Sequence, residues 1–384
     1  MDLLFWRLDM NLNTIDTPAL ILEESKMNAN IARMRNKAQS LGVTLRPHLK
    51  TSKCWEVAKR QIWTPEGPAT VSTLKEAEEF AAHGIKDMIY AVGIAPQKLP
   101  RVAALIRQDV DLKIILDSVE AAEAVSQFCS KEALEIKVLI EIDCDGHRSG
   151  LTPDSPDIVK VAQALHAPAK LVGVLTHAGG SYDVDIPEAL LKRAKGERDG
   201  ICVAADTLRK AGFELSIVSV GSTPTALSDE DLSGVTELRA GVYVFFDLFQ
   251  AGVGICKPSD IAISLLVTVI GHQLEKGWVI TDGGWMALSR DRGTANQKVD
   301  QGYGLVCDIN GNIIEDLWVS GANQEHGIIS ARNGKEFDPK MFPIGTRLRI
   351  LPNHACPTGA QHPCYYLVNN SLEIKDKWSR FYGW

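Results

Sequence analysis

Near the end of the chain, PNHACPTGAQHPC (352–364) places His354 and Cys356 either side of one alanine, and repeats that spacing at His362 and Cys364. On an extended strand, residues two apart point the same way, so His354 and Cys356 can hold one cation. An imidazole beside a thiolate favours zinc, although geometry and supply admit manganese, cobalt, nickel or magnesium. Two protein ligands are too few for a closed structural site. Substrate and water would complete the shell, as at a catalytic metal. The bland alternative is four polar residues at the end of a strand, and His362 and Cys364 are read that way, as strand-edge residues.

Four further stretches carry reactive side chains at what read as strand ends. RPHLKTSK (46–53) presents Lys50, which can form a Schiff base with a carbonyl cofactor if Arg46 or Lys53 depresses its pKa. EIDCDGHRSG (141–150) ends in acids and glycine and presents Arg148, a fixed cation for a phenolate or carboxylate. LTHAGGSYD (175–183) supplies His177 and Tyr182, which can pack against and orient an aromatic ring. VSVGSTPTALS (218–228) offers Gly221, Ser222 and Thr223 to a phosphate, and Gly241 in TELRAGVYVFFD (236–247) adds a further N–H. Each has a plainer reading: a surface lysine, a salt-bridged arginine, a satisfied core histidine, two glycine turns.

The elements that must position them alternate. Short β-rich runs at ALILE (19–23), TLRPHL (44–49), ATVSTL (69–74), DMIYAV (87–92), DLKIILD (111–117), KVLIEID (137–143), LVGVLTH (171–177), LSIVSVG (215–221) and TELRAGVYVFF (236–246) are separated by amphipathic stretches. Mostly continuous apolar strands between helices predict a parallel sheet covered on its faces. Over residues 15–257 this gives an α/β fold, a (β/α)8 TIM barrel, whose active sites lie at the C-terminal strand ends. A doubly wound open sheet is the fallback, but no GxGxxG follows the first run. From 258 to 384 strands alternate with Gly-rich turns, and INGNI reads as a hairpin. A C-terminal antiparallel β domain is expected there, joined by residues 1–14 and carrying the metal pair.

The 384 residues are 45% hydrophobic and 23% charged, with a net charge of −7. That balance argues against nucleic acid or an anionic membrane as partner. No apolar run reaches the length of a membrane span, and the start lacks a basic region followed by a long apolar one. Eight cysteines without a compact framework read as thiols, which suits the cytoplasm.

Considered together, the motifs resemble a family. TPALILE, RPHLKTSK, VSTLKEAE, IEIDCDGHRSG, VLTHAGGSY, VGSTPT, ELRAGVYVFFD and PNHAC are similar to the D-serine dehydratase/D-threonine aldolase branch of the fold-type III pyridoxal-phosphate enzymes, which share alanine racemase's barrel plus β domain. GSTPTALS, SRDRGTA, GANQEHG and PNHACPTGAQ resemble the members that dehydrate D-threo-3-hydroxyaspartate. The resemblance implies pyridoxal 5'-phosphate on Lys50, with Arg148, His177 and Tyr182 about its ring or the substrate. Gly221, Ser222, Thr223, Gly241 and Tyr243 would hold its phosphate. It implies His354 and Cys356 as metal ligands, since dehydratases of this branch carry His-x-Cys where the aldolases carry His-x-Asp.

The implied activity is loss of water from a 3-hydroxy-D-amino acid, then hydrolysis to a 2-oxo acid and ammonia. Lys50 would remove the Cα proton, and the cation would help the 3-hydroxyl leave. For 3-hydroxyaspartate the product is oxaloacetate, and Arg290 or Arg292 could meet the second carboxylate. Alternatives are a D-serine or D-threonine dehydratase, a D-threonine-type aldolase, a racemase and a non-catalytic pyridoxal-phosphate carrier. A homodimer is expected from the resemblance alone.

Overall fold

The computed structural model describes residues 10–384, so the expected contribution of residues 1–14 falls largely outside what is described. The chain forms two compact units. One comprises residues up to 31 with 244–380, the other 32–243 with 381–384. These bounds differ from the expected 15–257 and 258–384. The ALILE run is β1 (Ala19–Glu23), and it pairs antiparallel with one strand and parallel with another of the antiparallel domain. All five of its residues are buried. A continuous apolar run marks a strand covered on both faces without saying which sheet covers it.

The larger unit holds eight parallel strands: β2 (Thr44–Leu45), β3 (Ala69–Val71), β4 (Asp87–Gly93), β5 (Asp111–Leu116), β6 (Lys137–Ile142), β7 (Lys170–Thr176), β8 (Ile217–Val220) and β9 (Glu237–Leu238). Their order is β2-β9-β8-β7-β6-β5-β4-β3. Beyond β2, Leu49 N donates to Thr70 O at 2.9 Å and Thr70 N to Pro47 O at 2.9 Å, linking the two outermost strands. The helices along the chain are α1 (Glu24–Ser40), α2 (Trp55–Gln61), α3 (Leu74–Ala82), α4 (Leu99–Ile106), α5 (Val119–Glu132), α6 (Asp157–Ala164), α7 (Pro187–Lys210), α8 (Thr223–Ser228), α9 (Leu248–Val253), α10 (Trp285–Leu288) and α11 (Ala355–Ala360). Side-chain caps start several of them directly after a strand: Thr73 accepts from Glu76 N at α3, and Ser118 from Ala121 N at α5. Because all eight strands run the same way, their C-terminal loops gather at one end of the sheet.

In the other unit, β10 (Ile263–Gln273), β11 (Trp278–Thr281), β12 (Gly304–Cys307), β13 (Ile313–Ala322), β14 (Gly327–Ala331) and β15 (Arg347–Pro352) form a ring. Its order is β10–β15–β12–β13–β14–β11, and β11 pairs back onto β10. Closure removes exposed sheet edges. Val267, Val279, Val306, Val319, Ile329 and Ile350 meet in its core. INGNI makes the β12–β13 turn, with Gly311 at φ +88. On the outside of β10 lie β1, β16 (Cys364–Val368) and β17 (Asp376–Ser379). Among the described residues no helix is long and apolar enough to cross a membrane.

Candidate active site

Lys50 is exposed in a turn just past β2. The cations expected to act on it are engaged elsewhere. Arg46 donates to Glu237 at 2.8 Å and to Asp87 at 2.7 Å, and Lys53 pairs with Glu76 at 3.2 Å. His48 is one group that feels Lys50. Burial pushes its pKa well below the ordinary value, with Lys50, Arg239 and His177 adding repulsion. His48 Nε2 lies 3.2 Å from Ser72 Oγ, and its buried Nδ1 has no hydrogen-bond partner among the described residues.

His177, past β7, donates from Nδ1 to the carbonyl of Gly221 at 2.8 Å. A carbonyl only accepts, so the proton sits on Nδ1 and Nε2 keeps its lone pair. Burial lowers the His177 pKa to about 3, with Lys50, Arg148 and Arg239 contributing. Tyr182 lies beside it, the ring centroids 6.2 Å apart. Arg148 is 55% exposed, 3.9 Å from Glu141, on a loop organised by Asp143, whose Oδ1 accepts from the amides of Asp145, Gly146 and His147.

The expected phosphate cup is built differently from its sequence reading. Gly221 N donates to Glu197 at 3.0 Å and its carbonyl serves His177, so neither group is left for a phosphate. What Gly221 supplies is conformation: φ is +145, and a Cβ would meet Arg239 O at 1.8 Å. Ser222 caps α8, its hydroxyl accepting from Thr225 N at 3.2 Å. Thr223 is the better donor. Its buried hydroxyl has no hydrogen-bond partner among the described residues, and its amide opens a helix and so lacks an intrahelical acceptor. A Cβ on Gly241 would meet Thr51 Oγ1 at 3.1 Å and His48 at 3.2 Å, which brings this loop against the Lys50 turn. Tyr243 is fully buried, its hydroxyl 3.1 Å from Gln61 Nε2 and its pKa raised by burial. An unpartnered hydroxyl, a crowded glycine backbone and an exposed lysine in neighbouring loops fit a phosphate-bearing carbonyl cofactor.

The metal pair lies in the other unit, and not on a strand. His354 has extended backbone angles as the N-cap of α11, whereas Cys356 is in the first turn of that helix. Their side chains still meet, through a hydrogen bond between imidazole and thiol. His354 Nδ1 lies 2.7 Å from Asp291 Oδ2, which leaves Nε2 as the ring nitrogen for any further partner. Burial alone would lower the His354 pKa, but the bonds to Asp291 and Cys356 and the charge of Asp247 carry it up to about 11. Surroundings that favour an imidazolium also favour a divalent cation, so this donor set fits a metal. Asp247, fully buried, accepts from Gln250 N at 2.9 Å and Ala355 N at 2.8 Å, capping α9 and α11 together. Among the described residues no group of three or more His, Cys, Asp or Glu side chains is placed to ligate one ion, which leaves the pair open to water or substrate.

His362 and Cys364 take no part. His362 Nε2 bonds to Ala287 O at 2.9 Å, and Cys364 opens β16 as a buried residue. All eight cysteines are thiols. Arg292 is paired with Asp300 at 2.5 Å, while Arg290 is exposed with its guanidinium over the Trp285 ring. Sequence reasoning did not single out His48, Arg239 and Glu197 around the strand-end loops, nor Asp247 and Asp291 beside His354. The Pro-His-x-Lys string held a signal for His48. Asp291 and Asp247 lie far along the chain from the pair they support, with no local pattern to mark them.

A parallel eight-stranded sheet with lysine, histidine and a glycine-led helix start at its strand ends, plus a separate antiparallel domain, defines a class. The chain belongs to the family described as "Alanine racemase, N-terminal domain", matched over residues 22–248, and residues 262–368 match a "Putative serine dehydratase domain". It is 52% identical to D-threo-3-hydroxyaspartate dehydratase of Delftia sp. (strain HT23), over 97% of this chain and 98% of that one. The solved structure of that protein superposes with a TM-score of 0.96, covering 98% of this chain and all of the other. It has also been solved as a cysteine-to-alanine mutant in the metal-free form and as a histidine-to-alanine mutant. D-serine dehydratase of Dictyostelium discoideum is 30% identical over 95% of this chain and 96% of its own. Alanine racemase of Clostridium difficile, 15% identical, covers 96% of this chain and 100% of its own with a TM-score of 0.65, a likeness of fold.

Proposed function

We propose that this chain is a lyase dependent on pyridoxal 5'-phosphate and a divalent metal, converting D-threo-3-hydroxyaspartate to oxaloacetate and ammonia. The observation that carries the reading is the contact between the Cys356 thiol and His354, with Asp291 behind the ring. A thiolate–imidazole pair suits zinc, and zinc held there would supply Lewis acidity to a leaving hydroxyl. The paired histidine and cysteine mutants of the Delftia relative, their sites two positions apart, support the same pair here.

The cofactor, when bound, supplies an electron sink for the Cα carbanion. Lys50 would hold it and move the Cα proton. Thr223, Ser222 and Gly241, with Gly221 shaping the turn, would cradle its phosphate, and Tyr243 would back that cradle. His177, neutral and protonated on Nδ1, would offer its Nε2 to the cofactor, and Tyr182 and Arg148 would complete the surroundings. Arg290 is free of the ion pair that engages Arg292, so it is the better candidate for the substrate's second carboxylate.

Several finer features belong to the same proposal. The bonds of Pro47 and Leu49 to Thr70 support a closed (β/α)8 barrel. A homodimer is expected from the family resemblance, and the cytoplasm from the free thiols. D-Serine is the alternative substrate. An aldolase reading would need a base for the 3-hydroxyl, and the His354-x-Cys356 spacing, where the aldolases carry His-x-Asp, speaks against it.

Product analysis separates these outcomes. Purified protein should release oxaloacetate and ammonia from D-threo-3-hydroxyaspartate, and a chelator should stop it. Glycine and an aldehyde, without ammonia, would make the chain an aldolase. Turnover of D-serine alone would move the substrate.

A further inference from the structure

Glu197 lies on α7, outside every motif that marks the site, and is 2% exposed. Its Oε1 accepts from Ala178 N at 3.0 Å and from Gly221 N at 3.0 Å. Ala178 follows His177, and the Gly221 carbonyl receives the His177 Nδ1 proton. One carboxylate therefore ties the loop after β7 to the loop after β8 at the two residues that fix the imidazole. Its other oxygen is buried with no hydrogen-bond partner among the described residues. A bare buried oxygen costs stability, so satisfying two amides does not by itself explain the residue.

We propose that Glu197 is a positioning residue, a bracket that locks the His177 tautomer and holds the start of α8 in place for the cofactor's ring and phosphate. This rests on the cofactor reading above. It adds a group that never touches the cofactor and acts through Ala178 and Gly221 on His177.

The test uses Glu197→Gln, Glu197→Ala and Glu197→Asp in the full chain. Gln keeps an acceptor for both amides; Asp is one methylene too short to reach them. Two readouts are taken on cofactor-stripped protein: pyridoxal-phosphate affinity by titration, and the His177 nitrogen signals by NMR, assigned with His177→Asn. Thermal melts check folding. Glu197→Gln should bind within about threefold of wild type and keep the Nδ1–H signal. Glu197→Ala should bind at least about tenfold more weakly and lose that signal. If Glu197→Ala does not fold, Glu197→Asp carries the same expectation.

Unchanged affinity and tautomer in the Ala or Asp variant would overturn the bracket, as would Gln behaving like Ala. If wild type binds no pyridoxal phosphate, the cofactor reading fails. The tautomer in the variants still decides the bracket.

Discussion

At the scale of single residues, local hydrogen bonds fix which nitrogen of two imidazoles is available. His354 gives Nδ1 to Asp291 and His177 gives Nδ1 to Gly221, so both rings present Nε2. Removing a carboxylate behind a ligating histidine weakens metal affinity by about 10–100-fold. Asp291→Ala should do so in a competition against a fluorescent chelator, with the fold intact by circular dichroism. Equal affinity would mean that the ring needs no such support. The second consequence is a pH dependence. The folded pKa of His177 lies near 3, below the roughly 6.5 of an unfolded histidine. The unfolded chain then binds the extra proton first, so the stability tied to neutral His177 is complete above the unfolded value and is lost as pH falls toward 3. Urea unfolding at pH 7.5 and pH 5 should show a larger drop for wild type than for His177→Gln. An equal drop would place the loss elsewhere, His48 being the next group with the same sign. The placement of Lys50 and Arg148 just past strand ends was legible from the pattern. The spent amide of Gly221 was not, because its partner Glu197 arrives from a helix with no motif of its own.

Among the elements, the short helix α11 explains how a pair two residues apart converges without a strand. His354 keeps extended backbone angles at the N-cap while Cys356 turns into the helix, and Asp247 supplies the capping oxygen that His354 lacks. Sequence pattern could not find this, since ACPTGA is too short and too rich in Pro and Gly to show a helical period. Asp247→Ala removes the caps of two helices at once, each worth about 1 kcal/mol. The variant should lose roughly 2 kcal/mol of unfolding free energy and weaken metal binding, and Asp247→Asn should recover part of both. Unchanged stability would show that water replaces the carboxylate. The eight parallel strands were legible, since each apolar run from TLRPHL to TELRAGVYVFF contains an observed strand. β1 was misplaced, because burial on both faces looks alike in a parallel sheet and in the middle of an antiparallel one.

For the whole molecule, each unit has an aliphatic core. The antiparallel unit closes six strands on one. The parallel unit packs Ile89, Ile115 and Leu139 in another, and adds a polar network in which Arg46 bonds to Glu237 and Asp87, and Ser219 joins Glu237 to Arg239. Alternation of strands and helices predicted the two architectures. It could not predict that the division falls inside α1, or that residues after 380 return to the parallel unit, since such crossings leave no mark in composition. The central claim is that Cys356 and His354 hold the metal that makes this chain a dehydratase. It is tested most directly by metal content and oxaloacetate release from D-threo-3-hydroxyaspartate, measured side by side for wild type and Cys356→Ala loaded with pyridoxal phosphate. The variant should keep its cofactor, lose its bound metal and release no oxaloacetate, whereas full turnover by a metal-free variant would contradict the metal assignment.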